Sequence, residues 1–256
     1  QTVKSPNPEE PAALAMAIEK AKKENADLVM ASDPDADRVG IAVRNKNNEF
    51  TLLNGNQTAT LLFYYVLNQW KENGQLSGKE FIVKTVVTSE LLIDIAKSMQ
   101  IETYDVLTGF KYIAQIIREQ EGKKQFILGG EESYGYLIGD FVRDKDAVAS
   151  CCFIAEAYAY AVSKGKGMEE LLAEIYKEFG FYLESLKSVT KKGKAGADEI
   201  QQMMVNYRQN TPVMINNSKV VCIKDYEMQV SKNLISGETK AIDLPKSNVI
   251  QLFTED

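Results

Sequence analysis

Apolar residues recur along the chain with two different periods, and the period changes locate the elements. Leu14, Ile18 and Ala21 return at helical spacing, which predicts an amphipathic helix near the start of the chain. Asn7 reads as its N-cap, with Pro8 in the first helical position and Glu9 and Glu10 in the first turn. The helix should end near Asn25. A short apolar run, Leu28-Val29-Met30, then leads straight into Asp33-Pro34-Asp35-Ala36-Asp37-Arg38. Residues 39–43 form a second apolar run, and the polar residues 45–48 predict a hairpin turn after it.

Further on, an aromatic-rich helix is predicted over 56–70, followed by strands at 81–87, 101–106 and 125–128. Helical segments at 90–99 and 111–120 separate them. Strands alternating with helices of this length indicate βαβ units, and therefore an α/β fold of mixed, largely parallel sheets flanked by helices. The turns at Thr108 and Gly130 both follow a strand, at the carboxyl edge where open α/β sheets bind ligands. Long helices are expected at 147–163 and 168–179. A strand at 182–189, a helix at 198–208 and two weaker strand signals complete the pattern, which reads as an incomplete α+β unit.

Composition narrows the function classes. The 256 residues suffice for about two domains. A formal charge of −6 argues against a nucleic acid or an anionic membrane as the main partner. Histidine is absent, which removes Ser-His-Asp and Cys-His relays, a histidine base and His-ligated zinc. Cys151, Cys152 and Cys222 match neither a disulfide framework nor a zinc spacing, and the adjacent pair reads as core thiols in a reducing cytosol. The apolar stretch 147–162 is interrupted by Glu156 and is short for a membrane span, so a soluble, cytoplasmic protein is expected. The opening Gln1-Thr2-Val3-Lys4 and the strand-like end at 248–256 read as the ends of a piece of a longer protein.

The strongest chemical signal is the acidic loop. Asp33, Asp35 and Asp37 alternate, so their carboxylates can converge. Two carboxylates about 4 Å apart repel by ~4 kcal/mol at an effective dielectric near 20, so three call for a cation. Oxygen ligands without cysteine or histidine select magnesium, calcium or manganese. An EF-hand would need glycine at the sixth loop position and glutamate at the twelfth, where Arg38 and Arg44 stand. A dehalogenase-type phosphatase would carry threonine where Asp37 stands. A solvated acidic turn is the plain alternative.

Three weaker signals follow. Gly129-Gly130-Glu131-Glu132-Ser133-Tyr134-Gly135 offers close backbone approach with acceptor and donor groups suited to sugar hydroxyls. Glu131, in a loop just past a strand, is expected to be exposed and to matter little to stability. Thr108-Gly109-Phe110-Lys111 opens a helix and could present N–H groups to an anion. Arg143-Asp144-Lys145-Asp146-Ala147 is a charge run, and such runs are usually solvated.

In this order the four segments resemble the α-D-phosphohexomutase family, in its phosphoglucomutase/phosphomannomutase branch. The opening Ser5-Pro6-Asn7-Pro8-Glu9 resembles the family's second domain. The resemblance is close over 1 to about 160 and looser beyond. It implies the C-terminal part of domain two at 1–53 with the metal-binding loop, domain three at 54–176 with the sugar-binding loop, and the start of a fourth domain at 177–256. It also implies flanking domains of the same polypeptide, because the family's Thr-x-Ser-His-Asn-Pro and Arg-x-Ser-Gly-Thr-Glu-Pro loops do not occur here. The implied activity is phosphoryl transfer on a hexose phosphate, glucose or mannose, through a phosphoserine and glucose 1,6-bisphosphate. Asp33, Asp35 and Asp37 would hold one Mg²⁺, Arg38 would face the phosphoserine, and Lys145 would stand near the reacting phosphate or hydroxyl. Thr108, Glu131, Ser133 and Lys145 would bind substrate. Lacking the phosphoserine loop, this chain is expected to be inactive alone. A Mg²⁺-dependent sugar-phosphate phosphatase and a non-catalytic sugar-phosphate binding module are the rival readings.

Overall fold

The structure, a computed structural model, describes residues 3–255. It divides the chain into two compact units, Gln1–Glu184 and Ser185–Asp256.

In the first unit helix α1 (Pro11–Glu24) starts at Pro11, not at Pro8. A proline disfavours the α region for the residue before it, and Glu10 is extended at φ −89°, ψ 125°. The expected cap at Asn7 instead makes a turn, accepting the Glu9 N–H at Oδ1 (3.1 Å) and the Glu10 N–H at its carbonyl (3.0 Å). Asn25 closes the helix in the left-handed conformation, at φ 54°.

Strands β1 (Leu28–Ser32), β2 (Val39–Arg44) and β3 (Phe50–Leu53) form an antiparallel meander in the order β1-β2-β3. Successive side chains of a strand point to opposite faces. On β2, Val39, Ile41 and Val43 enter the main core, while Ala42 packs with Leu14 and Ala21 of α1. Both faces of the central strand are thus covered, which explains its continuous apolar run.

Helix α2 (Gly55–Glu72) begins with a capping box, in which Asn54 Oδ1 accepts the Gln57 N–H at 2.8 Å and Gln57 Oε1 accepts the Asn54 N–H at 3.0 Å. Beyond it lies a four-stranded sheet in the order β5-β4-β6-β7: β4 (Glu80–Thr85), β5 (Glu102–Val106), β6 (Gln125–Gly130) and β7 (Tyr136–Ile138). β5, β4 and β6 are parallel; β7 runs antiparallel to β6. Among the described residues, parallel pairing is confined to this sheet. Helices α3 (Leu91–Ser98) and α4 (Phe110–Gln120) make the crossovers. Phe81 and Val83 face α4 with Ile113 and Ile117, whereas Ile82 faces the main core with Leu62 and Phe63 of α2. Each such fully buried side chain contributes roughly 1.5–3 kcal/mol relative to exposure.

Helices α5 (Ala147–Ser163) and α6 (Met168–Phe179) have the predicted limits. Neighbouring positions on a helix point about 100° apart, so Cys151 and Cys152 do not share a core face. Cys151 is half-buried and Cys152 exposed, correcting the expectation for the second. No described helix is long and apolar enough to cross a membrane.

Residues 180–192 contain no strand, contrary to the expectation for 182–189. Leu183 and Leu186 are exposed there, and no strand among the described residues pairs with this backbone. The second unit contains α7 (Gly193–Gln209) and an antiparallel sheet of β8 (Met214–Ile215), β9 (Ser218–Asp225), β10 (Val230–Asn233), β11 (Thr239–Ala241) and β12 (Ile250–Thr254).

Candidate functional site

The acidic loop joins β1 to β2. Its neck closes where the Asp33 N–H donates to the Arg38 carbonyl (3.3 Å), and Ala36 takes the left-handed conformation at φ 56°. This folds Asp33 inward. Its Oδ1 accepts the N–H groups of Asp37 (3.2 Å) and Arg38 (3.1 Å), and its Oδ2 accepts Arg38 Nε at 2.7 Å. Burial alone would raise the pKa of Asp33; the bonds from Arg38 and Asp37 outweigh it and hold the carboxyl below its ordinary value.

One carboxylate oxygen from each of Asp33, Asp35 and Asp37 lies within 4.8 Å of the others. Asp33 is buried, Asp35 exposed and Asp37 between. Asp37 Oδ1 is buried without a hydrogen-bond partner, 3.7 Å from Arg38 Nε. A buried acceptor left without a donor in an all-oxygen cluster fits a hard divalent cation. These are the residues that could hold one.

The glycine loop follows β6, at the carboxyl edge of the parallel strands. Glu131 is buried, not exposed as the sequence predicts, with 4% of its surface accessible. Its Oε1 accepts the Gly109 N–H at 2.8 Å, so this helix-opening N–H is already committed and is not offered to an anion. Burial pushes the Glu131 carboxyl up, against the Gly109 bond and the nearby Lys145. Thr108 is exposed beside Gly109, and Ser133 is half-buried. The loop is wedged against other elements. The Tyr134 carbonyl accepts the Val39 N–H at 3.0 Å, and a Cβ on Gly55 would meet the Glu132 carbonyl oxygen at 1.8 Å, so residue 55 must be glycine.

Lys145 joins the two loops. Its stem crosses Gly135, where a Cβ would stand 2.2 Å from Lys145 Cδ. Its ammonium reaches Asp37 Oδ2 at 2.6 Å and feels the charge of Glu131. Arg38 similarly reaches Glu9 at 3.1 Å and Asn7 Oδ1 at 3.4 Å. The rest of that charge run is structural: Asp146 caps α5 by accepting the Ala149 N–H (3.0 Å), and Arg143 pairs with Glu121 (2.9 Å). The structure therefore gathers Asp33, Asp35, Asp37, Arg38, Lys145 and Glu131 into one connected group, with Thr108 next to a residue that Glu131 binds. Gly55 was overlooked, because nothing in its own neighbourhood of the sequence reveals the loop pressed against it.

Residues 1–47 match the model of phosphoglucomutase/phosphomannomutase alpha/beta/alpha domain II, and residues 54–179 match that of domain III. The chain belongs to the phosphoglucomutase/phosphomannomutase family. A phosphoglucomutase from Staphylococcus aureus strain MRSA252 is 39% identical over 255 residues, all of this chain and 46% of that relative. The chain thus spans about half the length of the curated family members that it matches. The open form of parafusin, a Paramecium phosphoglucomutase, has the same fold at 16% identity and a TM-score of 0.58, over 96% of this chain and 40% of that one. The structure of a Thermus thermophilus protein described as a phosphomannomutase matches at 22% identity and a TM-score of 0.53, over 67% of this chain and 36% of that one.

Proposed function

We propose that this chain supplies the cation-binding and sugar-binding parts of a phosphohexomutase acting between the 1- and 6-phosphates of a hexose, glucose first, with glucose 1,6-bisphosphate as intermediate. The observation that carries the reading is Lys145, whose ammonium lies 2.6 Å from Asp37 while its stem lies across the glycine loop. One side chain thereby spans the cluster suited to a cation and the loop suited to sugar hydroxyls. In this reading Asp33, Asp35 and Asp37 hold Mg²⁺, which when bound neutralises charge on the transferring phosphoryl group. Arg38 keeps Asp33 ionised and faces the phosphoryl donor. Glu131 and Ser133 bind sugar hydroxyls, Thr108 lines the same edge, and Lys145 stabilises or protonates an oxygen of the substrate.

Domain limits at 53/54 and 176/177 belong to the same proposal. So does a cytoplasmic location. A phosphatase using Asp33 as nucleophile is disfavoured by its surroundings. Both oxygens of that buried carboxylate already accept hydrogen bonds from Asp37 and Arg38.

The phosphoserine loop and the distal phosphate loop are absent from these 256 residues. The chain alone should therefore bind but not turn over. Glucose 1-phosphate, Mg²⁺ and a bisphosphate primer are added to the purified chain, and binding and glucose 6-phosphate are both measured. Binding with a flat product trace is expected. Steady product abolished by Asp35→Ala would overturn the expectation of inactivity; absence of any binding would overturn the sugar-site reading.

A further inference from the structure

Three loops leave the carboxyl ends of β4, β5 and β6, and two adjacent glutamates tie them together. Glu131 follows the last residue of β6, and Glu132 begins the turn of the glycine loop. Glu131 reaches the loop after β5, accepting the Gly109 N–H. Glu132 reaches the loop after β4. Its Oε2 accepts Thr85 Oγ1 at 3.1 Å and Thr88 Oγ1 at 2.9 Å.

The threonine turn is itself a rigid anchor. Thr85 and Thr88 are 0% and 3% exposed. Beneath them Lys84, 1% exposed, donates to both threonine carbonyls at 3.2 Å and pairs with Asp105 (2.8 Å) and Glu90 (2.9 Å). The next residue, Ser89, donates its N–H to Asn56 of α2 at 2.9 Å.

We propose that Glu132 is a positioning residue for the hexose-phosphate site, holding the loop that carries Glu131 and Ser133 on the Thr85–Thr88 turn without touching the ligand. This rests on the sugar-site reading above. Proton counting separates the role from a structural one. The two hydroxyls lie 2.8 Å apart, so two protons serve three short contacts. With Glu132 intact both protons can go to the carboxylate. Once it is removed, one hydroxyl can donate to the other, and the turn is left with little unsatisfied. Removal of Glu132 should free the loop while sparing the fold.

The test compares Glu132→Ala, Glu132→Gln, Thr85→Val/Thr88→Val and the triple variant in this chain. Three quantities are read: melting temperature, amide hydrogen exchange over residues 129–135, and calorimetric binding of glucose 1-phosphate. Glu132→Ala should exchange about tenfold faster in the loop alone and bind roughly tenfold more weakly, with an unchanged melting temperature. Glu132→Gln retains an oxygen acceptor for both hydroxyls and should match the parent. The threonine double variant should resemble Glu132→Ala, and the triple should be no weaker, because both break one linkage. Equal loss in Glu132→Gln would overturn the proposal in favour of a charge contact with the ligand. So would unchanged loop exchange or unchanged binding in Glu132→Ala, or a fall in its melting temperature. If the parent binds no glucose 1-phosphate, the sugar-site reading fails, while loop exchange still decides whether Glu132 holds the loop.

Discussion

Two acidic loops stand at strand ends in the first unit, and they satisfy their carboxylates in opposite ways. In the Asp33–Asp37 loop cations take part: Arg38 on Asp33, beside two backbone N–H groups, and Lys145 on Asp37, with Asp37 Oδ1 left without a hydrogen bond. In the glycine loop the hydrogen-bond partners are neutral: a backbone N–H on Glu131 and two hydroxyls on Glu132. Neutral donors fixed in the fold complete a carboxylate and hold it in one place. Cationic side chains at a half-open cluster leave charge and lone pairs available, and a metal ion can compete for them. The same residue type is thus left open to a ligand in one loop and tied into the fold in the other.

The largest expected effect would break this contrast at its acidic end. Asp35 is exposed, and its side chain makes no hydrogen bond among the described residues. Asp35→Ala should weaken Mg²⁺ binding on the order of a thousandfold, the ~4 kcal/mol of one charge pair about 4 Å apart at an effective dielectric near 20. Its melting temperature without metal should stay level or rise, since like-charge repulsion is relieved. Calorimetric titration with Mg²⁺ checks the first part and a thermal scan the second. Unaltered Mg²⁺ binding would leave the cluster a solvated turn.

At the glycine end Glu131 gives a smaller effect with opposite signs in two measurements. Glu131→Gln keeps an acceptor for the Gly109 N–H and removes a buried charge. It should bind glucose 1-phosphate about tenfold more weakly, the loss of one charged hydrogen bond, yet melt ~2–4 °C higher at neutral pH. The pH dependence follows from the raised pKa. A folded state that holds the Glu131 proton more tightly gains stability below the ordinary glutamate value and loses it as pH rises through the raised one. The gap between variant and parent should therefore close in acid and widen towards neutrality. A gap independent of pH would show that burial does not govern this group.

Much of this was legible in the sequence because it is periodic or local. α5 and α6 have the predicted limits, since long apolar repeats leave little choice. The alternation of Asp33, Asp35 and Asp37 foretold their convergence, because a short loop brings alternate residues to one side. The start of α1 was missed although its cause, Pro11 acting on Glu10, is also local. Non-local facts were out of reach. β7 has only three residues and exists through pairing with β6. The burial of Glu131 depends on Gly109, and the clamp on Glu132 on threonines 47 and 44 residues away. Conversely, the strand-like pattern at 182–189 finds no ladder partner among the described residues and stays irregular and open to solvent.

The smallest effect sharpens the comparison where the loops meet, at Lys145. If its ammonium stands in for part of the cation's charge at Asp37, removing it should tighten Mg²⁺ binding. The side chains of the pair are 19% and 28% exposed. An ion pair of that kind is worth roughly 1 kcal/mol, so Lys145→Gln should bind Mg²⁺ a few-fold more tightly and glucose 1-phosphate more weakly. Gly135→Ala reaches the same end by another route. Its Cβ would stand 2.2 Å from Lys145 Cδ and 2.9 Å from Cγ, too close for the stem to keep its course. Gly135 does not have a positive φ, so alanine suits the backbone and the strain falls on the lysine. The ammonium should then leave Asp37, and Gly135→Ala should reproduce the tighter Mg²⁺ binding with Lys145 still present. Parallel calorimetric titrations of the two variants and the combined one decide this. The combined variant should equal either single, because each removes the same competitor. Weaker Mg²⁺ binding in Lys145→Gln would mean that the lysine holds Asp37 in place for the metal instead of competing with it.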